Sequence, residues 1–134
     1  MKLTGRLLLF DKKDLNNNIF PKNCEIFIPE KLPVLMEYRC FDPSDCIGVA
    51  TVTKDDEGLS CDLDVWEFKS EQMRSVFNDE IYVGGFYNHV KSHNLDGIRV
   101  IDKMTLQAVS ITLLPADPEM KVTIVEDGKE IKDD

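Results

Sequence analysis

The feature that most constrains the fold is residues 106–114, an apolar run that reads LQAVSITLL and is stopped by Pro115. Its content of Val, Ile, Leu and Thr, together with the proline stop, predicts a buried β-strand. Because side chains of a strand alternate between two faces, we expect a core face and a smaller second face with a hydroxyl pair. The core face is predicted to hold Val109, Ile111 and Leu113. The second face is predicted to hold Leu106, Ala108, Ser110, Thr112 and Leu114, with Ser110 at its centre.

The rest of the chain predicts further strands and one helix. The predicted strands are residues 2–10, 24–28, 32–38, 46–53, 59–66, 81–90, 98–101 and 121–125. The predicted helix covers residues 70–78, with Ser70 as N-cap and Met73, Val76 and Phe77 on one face. This pattern indicates a mainly β fold, an antiparallel β-barrel that is closed or nearly closed, with one short helix. Residues 1–126 form a single barrel domain in this interpretation, and residues 127–134 form an acidic C-terminal tail.

The composition limits the classes of protein to which the chain can belong. The chain has 134 residues, of which 43% are hydrophobic and 31% charged, as expected for one soluble globular domain. Its net charge of −9 argues against binding nucleic acid through phosphates, because no basic stripe is present. No apolar run reaches membrane-spanning length, and the first residues lack the pattern of a secretory signal peptide. We therefore expect a protein that acts inside a cell, or inside a particle assembled there.

The cysteines and acidic clusters do not predict a metal site. Cys24, Cys40, Cys46 and Cys61 form no CxxC pair and have no histidine at a zinc-ligand spacing. The acidic groups in residues 55–57 and in the tail lack the spacing of a calcium loop. The sequence therefore predicts reduced, mostly buried thiols, and neither a metal nor a cofactor.

Two segments resemble the prohead (head maturation) proteases of tailed phages, which are relatives of the herpesvirus assembly proteases. In that family the nucleophilic serine lies in a strand that reads roughly (Val/Ile)-Ser-(Ile/Leu)-x-x-x-Pro-Ala-x-Pro. Val109-Ser110-Ile111 followed by Pro115-Ala116-Asp117-Pro118 is similar to this signature, and residues 47–59 resemble the family's Ile-Gly hairpin. The resemblance covers roughly residues 3–125. It implies a herpesvirus-protease-like β-barrel with Ser110 as the candidate nucleophile.

The histidine that the family uses as its base is missing from its expected place. In the family it follows a Pro-Val-x-x-x-His pattern just before the Ile-Gly strand, but residues 33–45 contain no histidine here. Carboxylates or a tyrosine in this window would need a large pKa shift to act as a base near neutral pH. The remaining candidate bases are His89 and His93, which we expect in a polar loop; a rebuilt dyad of His93 with Ser110 stays open. Gly84-Gly85 is interpreted either as a bend in a curved strand or as a pair of oxyanion donors.

These observations predict a phage virion structural protein built on a catalytically silent prohead-protease fold, either a capsid decoration or a minor head protein. Its expected partner is the major capsid protein, with a possible homo-oligomer on the capsid lattice, and it is expected in the virion after assembly in the host cytoplasm. The expected contact residues are Trp66, Phe86 and Tyr87. The alternative is an active serine-type maturation protease with Ser110 as nucleophile, and a third possibility is an adaptor without a role in the particle.

Overall fold

The structure is a computed structural model that describes residues 1–76, 81–126 and 129–130. The described residues form ten strands, one α-helix and a 3₁₀ turn at Pro43–Asp45. The strands are β1 (Lys2–Leu9), β2 (Asn18–Ile19), β3 (Glu25–Phe27), β4 (Leu32–Met36), β5 (Gly48–Lys54), β6 (Gly58–Val65), β7 (Ile81–Leu95), β8 (Ile98–Thr112), β9 (Lys121–Glu126) and β10 (Lys129–Glu130), and the helix is α1 (Glu67–Val76).

Seven of these strands close into a barrel, which confirms the predicted fold class. The order is β1-β6-β5-β4-β8-β7-β9, and β9 pairs back onto β1. Six of the seven ladders are antiparallel, and the seventh, between β4 and β8, is parallel. The chain reverses four times between β4 and β8, so the two strands run in the same direction.

The longest ladder is the hairpin of β7 and β8, whose strands have 15 residues each. Its turn is at Asp96-Gly97, as predicted, where φ is 53° and 83°, the left-handed geometry that suits a two-residue hairpin turn. Strand β7 continues beyond its predicted end at residue 90 to Leu95, and β8 joins the two predicted strands 98–101 and 106–114 into one strand that ends at Thr112. The expected polar loop around His89 and His93 is therefore wrong. The outer half of β8 also pairs in parallel with β2 and β3.

A bulge in β8 changes which residues face the barrel core. Phe86 pairs with Ala108 and Tyr87 pairs with Leu106, so Gln107 is the extra residue. An extra residue reverses the alternation, and Leu106 therefore joins Val109 and Ile111 in the main core instead of lying on the second face. Leu113 was predicted in the core but is 53% exposed, because β8 ends at Thr112.

The helix begins three residues earlier than predicted. Ser70 is not its N-cap: its amide and its hydroxyl both donate to the carbonyl oxygen of Trp66, each at 3.1 Å. Met73 is fully buried, as the predicted apolar face requires, whereas the Val76 side chain and all of Phe77 lie outside the described residues. Within the described ranges, no helix has the length and apolar character needed to cross a membrane. Of the predicted tail, β10 pairs with β9, and the other tail residues are outside the described part.

Candidate functional site

Ser110 lies at the centre of the barrel wall, with Leu35 of β4 on one side and Gly84 of β7 on the other. It has no solvent exposure. Its Oγ accepts a hydrogen bond from the backbone N–H of Tyr38 at 2.8 Å, and its hydroxyl lies 3.3 Å from the carbonyl oxygen of Ile111. The Ser110 hydroxyl is therefore a buried group with hydrogen-bond partners, enclosed between β4, β7 and the turn that follows β4; we call this enclosure the closed layer.

The segment that covers Ser110 is a tight turn at Glu37 and Tyr38. Both residues have left-handed backbone angles, with φ of 51° and 58°, a conformation that costs about 1–3 kcal/mol for each residue. The turn is held by β8, because the Glu37 amide donates to the carbonyl of Ile111 at 2.9 Å. The Glu37 carboxylate accepts from the Thr112 hydroxyl at 3.0 Å and from the Leu113 amide at 2.6 Å. The Glu37 carboxylate therefore binds the last residue of β8 and the residue after it, and so holds the turn in place over Ser110.

The Tyr38 ring closes the layer on the β7 side. A Cβ atom added at Gly84 would overlap the Tyr38 hydroxyl, so this position admits only glycine while the ring is in place. The ring lies 6.3 Å from the Phe86 ring, with a tilt of 36°. Burial raises the pKa of the Tyr38 hydroxyl, and the neighbouring Glu37 carboxylate raises it further. The absence of a side chain at Gly84 thus allows the close approach of Tyr38.

The structure does not bring Ser110 and His93 together, so the rebuilt dyad is wrong. His93 pairs with Val100 in the outer half of the hairpin, nine residues further along β7 than Gly84, the neighbour of Ser110. At about 3.3 Å per residue, the separation along the strand is about 30 Å. The backbone of His89 pairs with Met104, and its side chain lies outside the described part.

His93 has a partner that the sequence analysis missed. Its Nδ1 lies 2.6 Å from Oδ2 of Asp102. Asp102 is the extra residue of a second bulge, because Ser92 pairs with Ile101 and Lys91 pairs with Lys103. A two-residue turn at 96–97 already predicts that His93 faces Val100, so extending the hairpin in sequence would have placed the two side chains close together. No feature of the sequence predicts that the bulge lies at Asp102.

A cleft of about 730 Å³ lies on the barrel wall. It is bounded by the end of β1, the first half of β7, loop 11–17 and turn 113–118. Its lips carry exposed apolar side chains, with Leu15 72% and Leu114 84% exposed. The Pro-Ala-Asp-Pro turn of the family-like signature therefore builds a wall of this cleft, whereas Ser110 does not line it.

One backbone hydrogen bond and two ion pairs fasten loop 11–17 to turn 113–118 and its continuation. The Leu15 amide donates to the carbonyl of Ala116 at 2.8 Å. Lys12 Nζ lies 3.0 Å from the Asp117 carboxylate and 2.9 Å from that of Glu119. These hydrogen bonds, to Glu119 first and Asp117 second, raise the pKa of the Lys12 ammonium. The two segments form one continuous cleft wall.

The three residues predicted to contact a partner do not share one surface. Phe86 and Tyr87 line the cleft. Tyr87 also packs against the core, with its ring 5.0 Å from the Phe20 ring in an edge-on arrangement. Burial raises the pKa of its hydroxyl, with smaller contributions from Asp14 and Tyr38. Trp66 lies elsewhere, before α1, where it is 38% exposed and stacks on Phe68 at 5.9 Å.

All four cysteines are free. Burial raises the pKa of Cys24 to about 11 and that of Cys61 to about 12, so these thiols stay protonated near neutral pH. Cys40 is exposed, and Cys46 is half-buried with its thiol 3.2 Å from the carbonyl of Gly48. Within the described ranges, no group of three His, Cys, Asp or Glu residues is arranged to hold a metal ion.

The family-like motifs fall in separate parts of the structure. Residues 47–59 span β5 and its turn into β6, residues 109–111 lie in the closed layer, and residues 115–118 form a cleft wall. The resemblance to the prohead proteases rests on these motifs in the sequence. Comparisons with protein-family models, with curated proteins and with solved structures find no match to the chain.

Proposed function

We propose that this chain is a phage virion structural protein, a catalytically silent relative of the prohead proteases that binds the major capsid protein as a decoration or minor head component. The observation that carries the proposal is the closure of the layer around Ser110. A serine nucleophile needs access to its substrate and a base within hydrogen-bond reach. Ser110 is instead buried and engaged by the Tyr38 amide at 2.8 Å.

A cluster of exposed apolar side chains supports a binding role. Met36 pairs with Ile111, and Gly48 pairs with both Val34 and Val65, so the segments that follow β4, β6 and β8 emerge at one end of the barrel. We call this the barrel-end surface. Its large exposed side chains are Phe41 (89%), Trp66 (38%), Phe68 (77%), Leu113 (53%) and Leu114 (84%). Several large apolar groups gathered at one end are typical of an interaction site, whereas single exposed ones are not.

The capsid as partner is inferred from the sequence resemblance, and fold alone does not dictate it. The test is quantitative mass spectrometry of purified mature particles of the phage that encodes the chain. Particles are made with the wild type, with the double variant Phe41→Ser/Phe68→Ser, or with the control Phe27→Ser. Phe27 is 65% exposed but belongs to β3, which pairs with β8 far from the end of that strand.

We expect full-length wild-type and Phe27→Ser chains at a fixed ratio to the major capsid protein, and loss of the double variant. Absence from mature particles with trimmed fragments in immature heads would instead indicate a working protease. Absence from both kinds of particle would overturn the capsid proposal. A serine-reactive phosphonate probe gives an independent check, because a folded chain with a buried Ser110 should not be labelled at that residue.

A further inference from the structure

The aromatic residues of the barrel-end surface lie on two adjoining segments. Phe41 belongs to the loop that follows β4, and Trp66 stacks on Phe68 where α1 begins. The Trp66 amide donates to the carbonyl of Ile47 at 2.9 Å, and Ile47 comes directly after the loop that carries Phe41. The segment before α1 is thus fastened to the end of this loop.

The loop that carries Phe41 has a fixed backbone. The Phe41 and Asp42 amides donate to Oδ2 of Asp45 at 2.9 and 3.0 Å. The Ser44 amide donates to Oδ1 of Asp42 at 3.0 Å, and Pro43 further restricts the chain. The Phe41 side chain is nevertheless 89% exposed. The loop therefore presents an aromatic ring on a backbone that is already ordered, which lowers the entropy cost of binding.

The same loop also presents carboxylate oxygens. Oδ2 of Asp42 and Oδ1 of Asp45 accept no hydrogen bond from a residue that the structure describes. Hydrogen bonds from the amide and the hydroxyl of Ser44 lower the pKa of Asp42, so its carboxylate is ionised at neutral pH. Among the described residues, no cation forms an ion pair with Asp42, Asp45 or Glu67.

The charge of the barrel-end surface indicates the kind of partner. Residues 37–46, 66–69 and 113–116 carry four carboxylates and two cations: Glu37, Asp42, Asp45, Glu67, Arg39 and Lys69. Lys69 Nζ already lies 6.0 Å from the centroid of the Phe68 ring, whereas no cation of the described ranges lies over the Phe41 ring. Because the net charge is −9, a second copy of the chain would be repelled and a cationic segment attracted.

An exposed ring next to carboxylates suits arginine better than lysine. The guanidinium group is planar and always charged, stacks on aromatic faces, and donates pairs of hydrogen bonds to carboxylates. The lysine ammonium is a compact, strongly hydrated charge that stacks less well. Phe41, Asp42 and Asp45 offer both kinds of contact within one short loop.

We propose that the barrel-end surface binds an arginine-bearing segment of a partner protein, whose guanidinium groups stack on the Phe41 ring and pair with the carboxylates of Asp42 and Asp45. This deepens the proposed function by naming the side chain that is recognised. It rests on the role of the barrel-end surface in binding, but not on the identity of the particle.

The test uses Trp66, the single tryptophan of the chain, as a fluorescent reporter. The probe is acetyl-Arg-Ala-Arg-Ala-Arg-amide, added to the full ¹⁵N-labelled chain. Two matched peptides replace every arginine, one by citrulline, which keeps the shape but removes the charge, and the other by lysine. We expect a saturable change of Trp66 emission and NMR shifts centred on residues 41–45. The lysine peptide should bind about threefold more weakly, and the citrulline peptide at least about tenfold more weakly.

Variants of the chain locate the site. Phe41→Ser should weaken binding of the arginine peptide about fivefold, because the stacking ring is lost. Asp42→Asn should weaken it about threefold, because asparagine keeps the hydrogen bonds of the loop but not the charge. Phe27→Ser and Asp56→Asn are the matched controls and should leave binding unchanged. Phe27 is 65% exposed on β3, and the Asp56 side chain is 97% exposed in the turn at the other end of β5 and β6.

Equal binding of the citrulline or lysine peptide, equal effects of Asp42→Asn and Asp56→Asn, or no binding at all would overturn the proposal. A wild-type dimer in sedimentation that Phe41→Ser dissociates would also overturn it, since a second copy would then be the occupant. The probe is not a capsid segment. Loss of peptide binding with particle incorporation retained would therefore refute only this inference, whereas peptide binding by a chain absent from particles would refute only the capsid proposal.

Discussion

At the scale of single residues, the hydrogen bond between the Tyr38 amide and Ser110 determines what the centre of β8 can do. It joins two residues that are 72 positions apart in the sequence. The amide belongs to a left-handed turn, and the hydroxyl is completely buried. Ser110 therefore acts as the acceptor that stabilises the turn. This role needs the hydroxyl as much as catalysis would, so the presence of a serine here does not by itself indicate a protease.

Replacing Ser110 by alanine should lower the free energy of unfolding by about 1–3 kcal/mol, because the Tyr38 amide is left without its acceptor inside a closed layer. Urea unfolding followed by circular dichroism measures the change. The control is Ser60→Ala, since the Ser60 hydroxyl only makes a long 3.4 Å contact at the surface and its loss should have little effect. Equal stability of the two variants would contradict the structural role of Ser110.

A substitution at Gly84 tests the packing of the Tyr38 ring against β7, on the opposite side of Ser110 from β4. Gly84→Ala should destabilise the barrel by about 1–3 kcal/mol, because the new methyl group overlaps the Tyr38 hydroxyl. Adding Tyr38→Phe removes the overlapping oxygen and should recover part of the loss, which a double-mutant cycle detects as a coupling energy. Gly85→Ala is the matched control, since its methyl group would approach Tyr87 at 2.9 Å and Leu106 at 3.1 Å, contacts that a small shift of these side chains relieves, whereas the overlap with the Tyr38 hydroxyl at Gly84 is much closer. Additive effects of the Gly84 and Tyr38 changes would exclude this contact.

At the scale of elements, the strands that the sequence predicts best are those with simple alternation. Strands β5 and β6 were predicted within two residues at each end, because apolar and polar side chains alternate and a strong turn separates them. The outer half of β7 was missed because it is polar: it is stabilised by pairing with β8 and not by burial. The Gln107 bulge and the parallel contact of β4 with β8 were also missed, since both depend on residues far apart in sequence.

The same reasoning explains how much of the candidate site was predictable. Ser110 was correctly placed at the centre of the second face by alternation alone. The turn at Glu37 that covers it was not predicted, because a left-handed pair of non-glycine residues has no local signal and is held by β8. The Pro-Ala-Asp-Pro turn was recognised as a feature, but its place in the cleft wall follows from its contacts with loop 11–17.

The contacts between loop 11–17 and turn 113–118 predict the effect of removing the Lys12 ammonium. Lys12→Met should increase the hydrogen exchange rate of the Leu15 amide, because only the backbone bond to Ala116 then fastens the loop. The free energy of unfolding should fall by no more than about 1 kcal/mol, since Lys12 and Glu119 are exposed, although the Asp117 side chain, at 13% exposure, loses its cation. Lys22→Met is the control, as its longer 3.9 Å contact with Asp56 involves neither segment. Unchanged exchange at Leu15 would show that the backbone bond alone holds the loop.

At the scale of the whole molecule, one closed barrel carries two adjoining surfaces, which share Leu113 and Leu114. The barrel-end surface is formed by segments leaving β4, β6 and β8, and the cleft is formed where β9 fails to complete the ladder between β1 and β7. Among the described residues, closure leaves free edges mainly at the outer hairpin and at the short strands β2, β3 and β10.

The closed core also predicts how the whole molecule responds to alkaline pH. Burial raises the pKa values of Cys24 and Cys61 in the folded chain to about 11 and about 12, above the ordinary value of 9.0 for an exposed thiol. Between those values the unfolded chain loses protons that the folded chain keeps, so stability that is fully present below pH 9 falls as pH rises. The slope is about 1.4 kcal/mol per pH unit for each thiol.

Urea unfolding between pH 7 and 10.5 measures this slope. Cys61→Ala should reduce it by the contribution of one thiol, although the variant itself is less stable because it leaves a small cavity. Cys40→Ser should leave the slope unchanged, because Cys40 is exposed in the folded chain as well. If Cys61→Ala retains the full slope, the Cys61 thiol ionises equally in the folded and unfolded chain. That result would contradict the structure, in which Cys61 is 98% buried.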